Sequence, residues 1–218
     1  MWHILLKNRL IFLLYLFILL IALTFIVFEG KINSHMIIEG LHFPILDSFF
    51  RIVTFLGDGF FVILIGHLLM VFINIRCGMV IMSSFLLSSF LVQMLKRVFF
   101  SASDRPVLFF QKLGIEVYKI PGMEYHDHYS FPSGHSTSAF VLFIGLALFS
   151  GKNALKAVFL FMAVLIAFSR VFLSQHFIED IIAGSLLGTF TVMLLYLWFS
   201  KWKNPWLDKR ILKLDRQR

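Results

Sequence analysis

Residues Tyr125–Ser138 read Tyr-His-Asp-His-Tyr-Ser-Phe-Pro-Ser-Gly-His-Ser-Thr-Ser, and an apolar run, Ala139 to Phe149, follows directly. The central Pro132-Ser133-Gly134 is typical of a turn, and Ser133 can cap the helix that the apolar run predicts. A glycine here lets a ligand approach the backbone, and the free N–H groups of a helix start attract anions. His135 would stand on the first turn, where it could exchange a proton with a bound anion. By itself the motif fits equally well a capped helix whose first-turn histidine has no functional role.

The composition excludes an ordinary soluble domain. The chain has 218 residues, of which 59% are hydrophobic and 15% charged, and it contains 28 Phe. So much apolar surface requires lipid as the solvent, so we expect an all-α integral membrane protein. In a membrane protein, the net charge of +8 is interpreted as basic residues that set the orientation in the bilayer and attract anionic lipids. No basic stretch has the aromatic spacing of a nucleic-acid site. Cys77 is the only cysteine, which excludes an intramolecular disulfide.

Apolar segments predict a six-helix bundle that forms a single domain over residues 1–218. The expected spans lie at about residues 10–28, 56–75, 78–99, 136–149, 154–173 and 178–199. Residues 31–51 are mixed in character and are interpreted as a loop with an interfacial piece. A second loop, of about 25 residues, is expected from Val107 to Phe131. Gly184 and Gly188 predict a face of the last helix that packs tightly.

The distribution of basic residues predicts the orientation of the bundle. Lys and Arg are concentrated in the tail after residue 200, and six spans would place both termini on the same side, in the cytoplasm. The short tails favour a bacterial inner (cytoplasmic) membrane. Six polar residues then fall together on the extracytoplasmic face, where the active site is expected: Lys96, Arg105, His135, Arg170, His176 and Asp180.

Those residues are of the types that bind a phosphate group. Arg170, near the end of an apolar helix, costs about 3 kcal/mol unless it has a partner. Three cations, Lys96, Arg105 and Arg170, converge without an equal set of acids, and guanidinium groups with a lysine favour phosphate. Asp180 follows His176 by four residues, on the same helical face. An Asp that accepts a hydrogen bond from one imidazole nitrogen leaves the other free to attack.

Three segments together resemble the signature of the phosphatidic acid phosphatase type 2 family. They are Lys96…Arg105-Pro106, Pro132-Ser133-Gly134-His135, and Ser169-Arg170 followed by His176 and Asp180. The second and third segments match the family pattern fully. The first departs from it, because eight residues separate Lys96 from Arg105 where the common pattern has six. This spacing leaves open whether Lys96 or Arg97 contacts phosphate.

The resemblance implies a metal-independent phosphatase without a cofactor. His176 would attack phosphorus, Asp180 would orient it, and His135 would protonate the leaving oxygen. The phosphoryl oxygens would be held by Lys96, Arg105, Arg170 and the backbone of Ser133 and Gly134. A site at a membrane surface suggests a lipid substrate. Undecaprenyl pyrophosphate, phosphatidylglycerol phosphate, phosphatidic acid and a lipid A phosphate are all compatible with these residues, and no residue pattern indicates the oligomeric state.

Three other readings compete with this one. A metal hydrolase could use His126, Asp127, His128, His135 and His176 as ligands, although the three cations would repel a metal. A transporter or lipid-binding protein with an anion site would explain the cations but gives the His176–Asp180 pair no role. A phosphotransferase of the same family would pass the phosphoryl group to another lipid.

Overall fold

Apolar helices make up the fold, which we describe from a computed structural model of residues 8–212. The described residues form eight α-helices and no strand. The basic residues Lys7, Lys213, Arg216 and Arg218 of the two termini lie outside the described residues. The helices are α1 (Arg9–Glu39), α2 (Pro44–Val53), α3 (Gly59–Phe72), α4 (Ile75–Met94), α5 (Pro106–Lys112), α6 (Gly134–Phe149), α7 (Asn153–Phe172) and α8 (Ile178–Ser200).

The lengths of these helices support an integral membrane protein. By length and apolarity, α1, α4 with its following turn, α7 and α8 can cross a membrane. The segment Pro44–Gly57 and α3 meet at a 56° bend and would together supply a fifth crossing. Helix α6 is apolar but has 16 residues, fewer than the ~20 of a usual span. The all-helical membrane fold is thus confirmed, while the count of six spans stays a prediction.

The N-terminal part departs from the predicted boundaries. Helix α1 was expected to end near residue 28 but continues to Glu39 through a kink at Gly30, whose φ of 72° is one that glycine adopts readily. Helix α2 then occupies much of the segment that was predicted to be a loop. Both pieces are helical because one face of each is buried, with His35 and Ile38 in α1 and Phe50 in α2.

The second predicted span begins later than expected, at Gly59. A turn of 3₁₀ helix, Thr54–Gly57, ends the preceding segment, and Asp58 caps α3 by accepting a hydrogen bond from the Phe60 N–H at 2.8 Å. The remaining boundaries agree more closely with the sequence. Helices α7 and α8 lie within one residue of their predicted ranges. Helix α4 begins three residues earlier than predicted, and a π-helical turn, Leu95–Phe99, follows its last residue.

Helix α6 is the buried centre of the bundle, and it packs against α4, α7 and α8. The predicted tight face of α8 is confirmed at its contact with α6. A Cβ atom added to Gly184 would lie 2.5 Å from the Ser133 carbonyl oxygen, and one added to Gly188 would lie 2.5 Å from that of Thr137. The two glycines therefore let the helix backbones meet directly, at the point where α6 begins.

We expect Gly188→Ala to destabilise the protein by about 1–3 kcal/mol, because the new methyl group would overlap a backbone oxygen that cannot move independently of α6. The measurement is thermal unfolding in detergent. Gly151→Ala is the matched control, since a Cβ atom there meets open space. Equal unfolding temperatures for the two variants would show that the contact between α6 and α8 is looser than described.

Candidate active site

A cavity of about 600 Å³ opens where α4, α6 and α7 end or begin on one side of the bundle. Six of the eight residues predicted from the sequence line it: Lys96, Arg105, Gly134, His135, Arg170 and His176. Asp180 lies directly behind His176, and Ser133 is not among the described residues that line the cavity. Segments far apart in the chain are thus brought to a single site.

His176 is held from behind by a carboxylate. Its Nδ1 atom lies 3.3 Å from Asp180 Oδ2, and the ring is only 2% exposed. The same oxygen accepts hydrogen bonds from Ser130 Oγ at 2.5 Å and from the Phe177 N–H at 2.9 Å. Two donors besides the imidazole therefore fix the carboxylate, which can fix the imidazole in turn. The Nε2 atom of His176 makes no hydrogen bond within residues 8–212 and is left for a ligand.

Burial sets the protonation state of His176. It lowers the pKa of the imidazole well below its ordinary value of 6.5, and the nearby charges of Arg105 and Arg170 lower it further. The ring is consequently neutral at physiological pH. A neutral imidazole with its Nδ1 atom bound to a carboxylate has a free electron pair on Nε2, as a nucleophile requires.

The first two cations are held by neutral oxygens. Lys96 Nζ donates to the Tyr129 carbonyl at 2.5 Å. Arg105 donates from Nε to the His128 carbonyl at 3.1 Å and from Nη1 to Gln175 Oε1 at 3.1 Å. Neither residue forms an ion pair with a carboxylate in the part of the chain that the structure describes.

Arg170 is likewise held by a neutral oxygen, and one of its donor atoms is left without an acceptor in the described part of the chain. Its Nη1 donates to Thr54 Oγ1 at 2.8 Å, and it forms no ion pair with a described residue. Its Nε is buried without a hydrogen-bond partner among the described residues. Because a buried donor without an acceptor is costly, the site is suited to an anionic ligand.

The structure also shows which of Lys96 and Arg97 lies at the cavity. Lys96 is buried and lines the cavity, whereas Arg97 is exposed and is not among its lining residues. The π-helical turn Leu95–Phe99 carries both residues and places only the first toward the cavity. The unusual spacing before Arg105 therefore leaves Lys96 as the cation of this segment that is present at the site.

The start of α6 differs in one respect from expectation. The predicted N-cap is confirmed, since Ser133 Oγ accepts from the Ser136 N–H, but the Ser133 N–H donates to the Asp180 carbonyl at 3.0 Å. Phosphate binding by the Ser133 backbone is thus not supported by this geometry, because its donor is already used. The N–H groups of Gly134 and His135, which have no acceptor in residues 8–212, remain available at the helix start.

Several residues at the site carry no recognisable sequence signal. Thr54 and Gln175 were missed because their contacts join distant parts of the chain, while the position of Ser130 beside the Pro132–His135 motif could have suggested a role. Arg51, Asp58 and Glu124 also line the cavity.

Of the histidines considered as metal ligands, His126 lines the cavity and His128 pairs with Asp104 at 3.2 Å. Among the described residues, no group of three or more His, Cys, Asp or Glu is placed to hold a metal ion.

Comparison with known proteins identifies the family. The sequence model of the PAP2 superfamily matches residues 78–204, more than half of the chain, so the protein belongs to this superfamily. This confirms the resemblance found in the three sequence segments, all of which lie within the matched range.

Two crystal structures share the fold. The structure of Aquifex aeolicus LpxE is 26% identical in sequence with a TM-score of 0.66, and the match covers 76% of this chain and 93% of that one. The first transmembrane PAP2 type phosphatidylglycerolphosphate phosphatase from Bacillus subtilis is 24% identical with a TM-score of 0.66, over 91% and 98% of the two chains. No curated protein matches the sequence significantly. The family and these neighbours support a phosphatase that resides in a membrane.

We expect Ser130→Ala to lower kcat about tenfold and to leave KM nearly unchanged. The substitution removes a buried hydrogen bond to Asp180, and the imidazole of His176 loses part of its orientation without any change in the three cations of the cavity. Steady-state phosphate release measures both constants. The control is Ser48→Ala, whose hydroxyl bonds only the Pro44 carbonyl on the exposed side of α2. A loss confined to KM would contradict this role for Ser130.

Proposed function

We propose that the protein is a membrane lipid phosphatase that works through a phosphohistidine on His176. One observation carries the proposal: three cations that form no ion pair with a described carboxylate line the same cavity as a neutral imidazole supported by Asp180. Fixed positive charges suit the oxygens of a phosphoryl group in transfer, which needs positioning and charge stabilisation above all.

The reaction would proceed in two steps. His176 Nε2 attacks phosphorus, the bond to the lipid oxygen breaks, and the imidazolium form of His135, which the negative charge of the bound phosphate favours, gives that oxygen its proton. The neutral His135 then takes a proton from water, whose oxygen attacks the phosphohistidine and releases inorganic phosphate with His176 restored. Both histidines line the same cavity, and the carboxylate of Asp180 would stabilise the ring as it gains positive charge.

Lys96, Arg105 and Arg170 would hold the phosphoryl oxygens, with the N–H groups of Gly134 and His135. The Nε atom of Arg170 supports this assignment, because it is a buried donor without an acceptor among the described residues. These groups supply the positive charge that a metal ion provides in other phosphatases, so the proposed mechanism uses no metal.

The position of the cavity suggests the kind of substrate. It lies at the ends of membrane-type helices, so a headgroup could occupy it while the hydrocarbon chains stay in the bilayer. We place the site on the extracytoplasmic face of a bacterial inner membrane, with both termini in the cytoplasm and one six-span domain. Undecaprenyl pyrophosphate, phosphatidylglycerol phosphate, phosphatidic acid and a lipid A phosphate are the candidate substrates.

The test is phosphate release from these four lipids in detergent with EDTA. We expect the wild type to be active on at least one of them and His176→Ala to lose at least about 1000-fold in kcat, because the attacking atom is gone. His67→Ala is the matched histidine control, since that ring bonds its own helix at the Ile63 carbonyl. Activity that appears only after a divalent metal is added would overturn the metal-independent mechanism, and turnover retained by His176→Ala would remove it as nucleophile.

A further inference from the structure

Two neutral side chains hold Arg170 in the cavity wall. Thr54 Oγ1 accepts a hydrogen bond from Nη1 at 2.8 Å, and Gln175 Oε1 lies 3.5 Å from Nη2. Arg170 is 7% exposed, so its guanidinium has little water to complete its hydrogen bonds. The orientation of this cation therefore depends on two residues that are not among the signature residues of the three family segments.

Gln175 links both arginines of the site. Its Oε1 atom also accepts from Arg105 Nη1 at 3.1 Å, and its Nε2 donates to the Glu124 carbonyl at 2.9 Å. The side chain is 3% exposed, and it precedes His176 directly. A single amide thus fixes the spacing of the two guanidinium groups and ties them to the loop at Glu124, which lines the cavity.

Thr54 is itself fixed by close packing. It begins the turn Thr54–Gly57, and a Cβ atom added to Gly57 would lie 2.7 Å from Ile166 Cγ2 and 3.1 Å from the His135 carbonyl oxygen. The turn therefore rests against α6 and α7 without room to shift. The packing of this turn keeps the Thr54 hydroxyl within hydrogen-bonding distance of Arg170.

The charge of these acceptors matters as much as their geometry. A carboxylate would orient a guanidinium more strongly, but it would also cancel the positive charge that an anion is to meet. A hydroxyl and an amide oxygen provide direction without that cancellation. Asp58, which also lines the cavity, makes its hydrogen bond to the Phe60 N–H and forms no ion pair with Arg170.

We propose that Thr54 and Gln175 are positioning residues that orient Arg170 and Arg105 toward a phosphoryl group while leaving their positive charge uncancelled. This inference rests on the proposed function. It goes beyond it by assigning roles to two residues that do not form part of the family signature and by requiring that both be neutral.

The first experiment separates the Thr54 hydroxyl from the space that the side chain fills. Thr54→Val keeps the shape and removes the acceptor, so we expect kcat/KM to fall about tenfold and the inhibition constant of orthovanadate to rise similarly. Thr54→Ser keeps the hydroxyl and should restore both values to within about threefold of wild type. Equal losses in the two variants would show that Thr54 serves only in packing and would overturn its assigned role.

The second experiment tests the requirement for a neutral acceptor at position 175. Gln175→Glu preserves the acceptor and adds a negative charge, whereas Gln175→Met removes the acceptor and keeps the length. We expect Gln175→Glu to bind orthovanadate more weakly than Gln175→Met does, because it cancels charge at both arginines. Thermal stabilisation of each purified variant by orthovanadate and by inorganic phosphate gives the affinity without any turnover.

The two readouts distinguish failure of this inference from failure of the proposed function. If the wild type releases no phosphate from any lipid yet orthovanadate stabilises it, the proposed phosphatase fails while the positioning of the arginines is still measured. If Gln175→Glu binds orthovanadate as tightly as the wild type, the neutral-acceptor proposal is wrong even for an active phosphatase.

Discussion

Positive charge that is not paired directly with a carboxylate is the constraint on which the site depends. Lys96, Arg105 and Arg170 line a single cavity, and in the described chain none of them forms an ion pair with an acid. Such a cluster is unfavourable in a protein interior unless it is solvated by dipoles or by an anion. Carbonyl, hydroxyl and amide oxygens supply the dipoles here. In the proposed function, the substrate supplies the anion.

The fold meets this constraint by joining the start of α6 to the start of α8. Gly184 and Gly188 let the two helices approach until the Ser133 N–H reaches the Asp180 carbonyl. One contact thereby fixes the helix start that offers free N–H groups and the carboxylate that supports His176. The packing of small residues and the chemistry of the site are thus consequences of the same helix pair.

Much of the site could be predicted because its residues lie in short, regular segments. A cap at Ser133 is set by local hydrogen bonding, and the four-residue spacing of His176 and Asp180 follows from helix geometry, so neither requires knowledge of tertiary structure. The boundaries of α7 and α8 were predictable for a similar reason, since turn residues flank long apolar runs. The N-terminal region was predicted less well because residues 31–39 and 44–53 form helices with one buried face, whose polar residues resemble a loop in sequence. Thr54 could not be found at all, since its partner Arg170 lies 116 residues away.

The central claim is that His176 carries the phosphoryl group, and trapping that intermediate tests it most directly. The wild type would be mixed with a lipid substrate labelled with ³²P at its phosphate, quenched in base within milliseconds, and digested for mass spectrometry. The account predicts a base-stable, acid-labile phosphoryl group on the peptide that contains His176. Label on any other residue, or rapid turnover with no labelled protein at any quench time, would contradict it.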